Sequence, residues 1–158
     1  MLLTKWGEAL DREHPLPEYP RPQLRRGSYL NLNGVWDCAF TRENSEPVEY
    51  DCEIVSGVGR VLQPDEYLWY RREFALPEGF NAGRVLLHFG AVDQTARVWL
   101  NGEDVCVHTG GFLPFSADIT ELLTEGANTL VVRVTDGTDR SYHTRGKQKL
   151  KPGGIWYT

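Results

Sequence analysis

RVLLHFGAVDQTARVWLNGEDVCVHTGGFLPFSADITELLTEGANTLVVRVT, residues Arg84 to Thr135, alternates apolar and polar positions again and again. In Arg84 to Phe89, Val85, Leu87 and Phe89 fall on one side and Arg84, Leu86 and His88 on the other, the two-residue side-chain period of a β-strand. Thr95 to Leu100 runs into Asn101-Gly102, a pair that tolerates positive φ, and Asp104 to His108 returns as the second arm of a hairpin. Asn128 to Thr135 sets Leu130, Val132 and Val134 against Val131, Arg133 and Thr135. Only Asp118 to Leu123 offers a helical turn, with Asp118 or Thr120 as its cap. Strands at this density, with no long amphipathic helix between them, predict an all-β chain. The expected architecture is an antiparallel β-sandwich of jelly-roll type.

Residues 1–33 read differently. Pro15, Pro17, Pro20 and Pro22 each fix a backbone angle and remove an amide donor, which predicts an extended N-terminal arm. Trp6, Leu16, Tyr19 and Leu24 are spaced as anchors for that arm, with a short helical turn near Trp6 to Leu10. The turn signal Asn33-Gly34 opens the sandwich proper, residues 34–158. Val35, Trp36 and Phe40 mark its first strand, Glu49 to Val55 a short one, and Tyr67 to Leu76 a strong one that stops at Pro77 and Gly79.

A chain of 158 residues with 41% hydrophobic and 25% charged content suits one globular domain. Its net charge of -5 argues against a phosphate backbone as partner, so no nucleic acid is expected. Lys5, Glu8 and Asp11 interrupt the first apolar residues, so neither a leader nor a membrane span can be drawn, and a cytoplasmic location is expected. Cys38, Cys52 and Cys106 are odd in number and lack CxxC spacing, which predicts reduced, mostly buried thiols.

Catalytic chemistry is not visible. Glu103-Asp104, Asp118-Glu121 and Asp65-Glu66 all sit in expected turns or caps, where solvation and backbone hydrogen bonding account for them. His14, His88, His108 and His143 show no HxH or HxxxH spacing, so no metal site is expected. No serine has a GxSxG context and no glycine loop is built to cradle phosphate, so neither catalytic residues nor a cofactor is expected. Gly110-Gly111-Phe112-Leu113-Pro114-Phe115 allows a sharp turn before aromatic residues; Phe112 and Phe115 are expected to pack in the core rather than meet a ligand. After Thr135 the polar run Asp136, Asp139, Arg140, Arg145, Lys147 and Lys149 leaves the last clear strand, as loops that hold function often do.

Several segments together resemble one family: YPRPQL, LNGVWDCAF, WYRREFALP, VWLNGEDV, HTGGFLPFSADIT, and RGKQ before GGIWYT. This ensemble is similar to the N-terminal sugar-binding domain of glycoside hydrolase family 2, the β-galactosidase and β-glucuronidase group, a resemblance that implies a galactose-binding-domain-like jelly roll. The resemblance implies that an immunoglobulin-like domain follows, and after it an α/β barrel of about 250 residues that carries the catalytic glutamates. It further implies that the loop after the last long strand reaches the mouth of that barrel. Asp136 is then the first candidate for a sugar hydroxyl contact, with Arg145, Lys147 and Gln148 as secondary ones. Relatives continue beyond a GGIWYT-like segment into a closing strand, so an open sheet edge is expected here, favouring a homo-oligomer or swapped pairing. Many β-galactosidases of the family carry Tyr-Thr-Asn where this chain has Tyr67-Leu68-Trp69, and WYRREF looks closer to β-glucuronidases.

The function expected from the sequence is therefore a non-catalytic domain that supports a β-glycosidase and contributes a loop to its sugar site. Its partners are a carbohydrate and the barrel of the same polypeptide, with neither nucleic acid nor membrane. Two alternatives remain open at this point: a free-standing carbohydrate-binding module, and a structural sandwich that mediates subunit contacts.

Overall fold

The computed structural model describes residues 4–11, 14–15, 17–18, 26–44, 48–53, 60–80, 83–137 and 153–157, with backbone alone for 48–53 and 156–157. After a single helical turn, α1 (Lys5–Glu8), come β1 (Val35–Arg42), β2 (Val48–Glu53), β3 (Glu66–Ala75), β4 (Leu86–Phe89), β5 (Ala91–Asp93), β6 (Thr95–Leu100) and β7 (Glu103–Thr109). β8 (Phe115–Asp118), a 3-10 turn (Thr120–Leu122), β9 (Ala127–Thr135) and β10 (Gly154–Tyr157) complete the order. Every paired strand is antiparallel, and no helix among the described residues is long and apolar enough to cross a membrane.

One layer is a six-stranded sheet in the order β2-β1-β3-β9-β6-β7; β4 with β8 and β5 with β10 supply the other. Alternation explains which residues meet between them. Trp36, Cys38 and Phe40 of β1, Leu68 and Tyr70 of β3, Ala96, Val98 and Leu100 of β6, and Leu130, Val132 and Val134 of β9 all point inward. Leu87, Phe89, Val92, Ile119 and Ile155 close on them from the opposite side. Burial of each such aliphatic side chain contributes about 1.5–3 kcal/mol before entropy is charged against it. The faces assigned to β4 and β9 from their sequence are the ones observed.

The outward face of the large sheet is stitched by rings and guanidinium groups. Trp69 and Trp99 stack at 5.8 Å, Arg133 lies over both, and Trp69 Nε1 donates to Thr41 Oγ1 at 2.9 Å. The hairpin at Asn101-Gly102 forms as expected, with φ of 53° and 88°. Glu66, buried at the start of β3, is held by Arg60 at 2.6 Å and Arg42 at 2.9 Å, the partners a buried carboxylate requires.

Three expectations change. Trp6 is 73% exposed rather than packed as an anchor, and α1 buries no residue; Leu16, Tyr19 and Leu24 lie outside the described residues. Cys38 is disulfide-bonded, so the expectation of three reduced thiols fails at that residue, whereas Cys106 is a half-buried free thiol. Phe112 is 54% exposed rather than in the core, since its loop turns outward after Gly110-Gly111. Phe115 does pack as expected, stacked on Phe89 at 4.8 Å and on His108 at 4.3 Å.

Candidate functional site

Several strand ends meet at one end of the sandwich. β6 begins there just after Asp93-Gln94, β9 ends there at Thr135, β7 runs out into Gly110-Gly111, and β10 starts there at Gly154. Backbone bonds tie the segments together: Gln94 N–H donates to Thr135 O at 3.4 Å and Gly110 N–H donates to Gln94 O at 2.9 Å. Asp93 is the register partner of Gly154, and the Thr95 and Thr109 hydroxyls lie 3.2 Å apart.

Two carboxylates emerge at this rim. Asp136 is the first residue past β9, and Asp93 is the last residue of β5, 9% exposed. Burial, and after it the negative charge of Asp136, pushes the Asp93 carboxyl up to about 6. The double glycine now has a reason. Gly110 takes φ of 130°, and a Cβ on Gly111 would overlap the Asp93 carboxyl group, so only glycine lets the backbone close over that acid. A Cβ on Gly153 would come 3.6 Å from Asp136 Oδ2, which places the approach to β10 beside the second carboxylate. β10 is itself pinned across the core, where Ile155 N–H donates to the Tyr70 hydroxyl at 3.3 Å. Burial drives that phenol up to about 12 and keeps it neutral.

An ionised carboxylate offers acceptor sites alone, and a protonated one both donates and accepts. Two carboxyl groups gathered at one rim offer several acceptor sites to a ligand dense in hydroxyl groups. Of the residues expected to contact ligand, Asp136 is thus found at the strand-end cluster; Arg145, Lys147 and Gln148 lie outside the described residues. Asp93 was not anticipated. Its signal was a lone acid late in the run FGAVDQ, with neither glycine nor proline next to it to make it a turn residue.

Several other acids and histidines among the described residues have structural partners. Asp104 accepts from Arg97 at 2.9 Å. Asp118 accepts from Thr120 N–H at 3.0 Å, from its hydroxyl at 2.6 Å and from Arg84 at 2.7 Å. Those bonds, the hydroxyl's first, lower its pKa to about 2. His88 meets Ser116, and His108 lies on Phe115 with Nε2 3.2 Å from Gly110 O. Among the described residues no group of three or more His, Cys, Asp or Glu is placed to hold a metal.

Comparison with known proteins bears on the domain as a whole. The sequence model of "Glycosyl hydrolases family 2, sugar binding domain" matches residues 36–157. Human β-glucuronidase is 38% identical over 94 residues, covering 58% of this chain and 14% of that protein. A β-galactosidase of Thermoanaerobacter pseudethanolicus is 41% identical over 109 residues, covering 66% of this chain and 15% of that protein. Among solved structures, a β-glucuronidase of an uncultured Clostridium superposes with a TM-score of 0.54 at 34% identity, covering 66% of this chain and 21% of that one. The chain thus spans only about a seventh to a fifth of the length of these relatives. An antiparallel sandwich whose strand ends gather Asp93 and Asp136, matched by this model from its first strand to its last, belongs to the family of glycosyl hydrolase family 2 sugar-binding domains.

Proposed function

We propose that the rim around Asp136 and Asp93 is the share of a sugar site that this domain gives to a family 2 β-glycosidase. The observation that carries the reading is the meeting of these two carboxylates, one buried and one at a strand end, in a domain of the sugar-binding family. Asp136 accepts hydrogen bonds from ring hydroxyls, and Asp93 braces the rim behind it. Phe112, exposed and adjacent to Gly111, offers a ring face to sugar C–H groups. Arg145, Lys147 and Gln148 serve as secondary contacts.

The domain itself is non-catalytic. Glycoside cleavage uses carboxyl groups on opposite sides of the bond, about 5–9 Å apart; Asp93 and Asp136 instead emerge side by side, since Thr95 and Thr135 are register partners on neighbouring strands. The reaction belongs to a catalytic barrel in a longer polypeptide, acting on terminal β-glycosides while this rim orients the sugar. Relatives named β-glucuronidase and β-galactosidase match almost equally well, so both substrate classes belong in the assay.

In that longer enzyme, Asp136→Ala is expected to raise KM for a nitrophenyl β-glucuronide or β-galactoside about tenfold, the loss of about 1.4 kcal/mol of binding. Unchanged KM and turnover would assign the rim a structural role instead. The isolated 158-residue chain should not hydrolyse either substrate. A cytoplasmic location, expected from the sequence, stands in tension with the Cys38 disulfide, because disulfides persist mainly in oxidising compartments. Counting free thiols on the protein recovered from its own host decides between them.

A further inference from the structure

On the outward face of the six-stranded sheet the charges cancel in pairs, with one cation left over. Register sets Trp69 of β3 and Arg97 of β6 on either side of Arg133 in β9, and Arg71 and Trp99 on either side of Val131. Arg71 pairs with Asp37 at 3.3 Å and with Glu73, and Arg97 pairs with Asp104 at 2.9 Å. Arg133 has neither an ion pair nor a hydrogen bond among the described residues. Its guanidinium carbon lies instead 5.0 Å from the Tyr67 ring, 5.6 Å from Trp69 and 5.8 Å from Trp99. Ring faces of this kind hold a guanidinium in place without consuming its N–H donors.

Those donors stay open, and a second kind joins them. Trp69 Nε1 is spent on Thr41, whereas Trp99 Nε1 has no partner among the described residues. Water reaches both it and the Arg133 nitrogens, since Asn33 Nδ2 is the one buried side-chain N or O atom left unpaired among the described residues. Donors without acceptors call for an acceptor-rich ligand, and the fork of a guanidinium matches a carboxylate best. Asp37, Glu73 and Asp104 nearby, and a net charge of -5, repel a ligand that carries many negative charges. One carboxylate on an otherwise neutral, hydroxylated body satisfies both conditions. Thr135, Thr95 and Thr109, register partners in turn, add hydroxyl groups one step along the strands, and the half-buried indole pair offers apolar surface to the C–H side of a sugar ring.

The geometry points to this face as a second carbohydrate site, selective for an acidic sugar: the carboxylate of a uronate takes the Arg133 fork and the Trp99 N–H while its ring lies on the indoles. An acidic polypeptide segment fits less well, because β9 is flanked by β3 and β6 and offers no open edge to pair with a backbone. The site is independent of the rim, since Asp136 lies beside Gly153 at the strand ends and Arg133 faces outward between the inward Val132 and Val134.

The test follows the indole N–H and backbone amide signals of the 158-residue chain by NMR as sugars are added. Glucuronate is expected to shift the Trp99 indole signal to saturation. Glucose, the same ring without the charge, and acetate, the charge without the ring, should each need at least about tenfold more. Arg133→Gln should weaken glucuronate by a similar factor with the amide spectrum otherwise unchanged, and Arg133→Lys, which keeps the charge but not the fork, should fall between. Glucose or acetate binding as tightly as glucuronate would overturn the proposal, and so would indifference to both Arg133 variants. Shifts at Gly111 and Asp93 with Trp99 unmoved would send the sugar to the rim and overturn this inference while supporting the proposed function. A Trp99 signal that moves with protein concentration alone, together with a dimer mass, would overturn it in favour of a second copy.

Discussion

β6 and β9 run side by side in opposite directions, and their two ends are built on opposite principles. At one end Asn128 is fully buried yet answered on every side. Its Oδ1 accepts from Asn101 Nδ2 and from Thr124 N–H, each at 2.8 Å, and its Nδ2 donates to the Thr124 and Gly126 carbonyls, each at 3.1 Å. Asn101 adds a bond from Thr129 N–H to its Oδ1 at 2.8 Å. At the other end, roughly 20 Å away along the strands, Asp93 is 9% exposed and faces another carboxylate and the backbone of Gly111. A satisfied amide network stabilises; two acids sharing a rim cost stability and gain hydrogen-bonding capacity for a ligand. The contrast separates the residues that hold the domain together from those that equip it.

The largest expected effect tests the stabilising end. Asn128→Ala strands Thr124 N–H, both carbonyls and Asn101 together, and should cost about 2–4 kcal/mol in denaturant unfolding. A loss under 1 kcal/mol would mean that the network is decorative. Next comes Gly111→Ala at the charged end, expected to cost about 1–3 kcal/mol by overpacking against Asp93. That cost should largely vanish in an Asp93→Ala background, and a double-mutant cycle showing simple additivity would deny the contact.

Asp93→Asn should act in the opposite sense from Asn128→Ala. Because burial, and after it the Asp136 charge, pushes the folded Asp93 carboxyl up to about 6, above the ordinary aspartate value, the folded state binds the extra proton. Its protonated form therefore favours folding below the unfolded value, and that advantage is lost as pH rises through about 6. Replacement by the neutral amide should flatten the stability profile between pH 4 and 6 and stabilise the chain at pH 7 by about 1–2 kcal/mol. A profile that keeps its slope would move the responsible group elsewhere. Smallest is Tyr70→Phe, which removes the acceptor of Ile155 N–H and should cost about 1 kcal/mol, chiefly by loosening β10. Faster exchange at Ile155 is the accompanying sign.

The stabilising end could be anticipated from the sequence and the charged end only in part. β4, β9 and the β6–β7 hairpin declared themselves through period-two alternation and Asn101-Gly102, because each has one wet face and one dry face. β5 escaped notice since Ala91, Val92 and Asp93 are all buried, which removes the alternation. β10 follows a double glycine that reads as loop, although Gly154 is needed there for a φ of 97° and for the space the Tyr70 hydroxyl occupies. Asp136 could be named from the resemblance, as a polar residue leaving a long strand. Asp93 could not, since only the folded sheet brings the end of β5 beside the end of β9.

The measurement that bears most directly on the charged end is an NMR titration of the side-chain carboxyl carbons of Asp93 and Asp136. The two-acid rim predicts an Asp93 midpoint near 6 that falls when Asp136 is replaced by Asn. An Asp93 midpoint at the ordinary value of about 4, unmoved by that replacement, would contradict it.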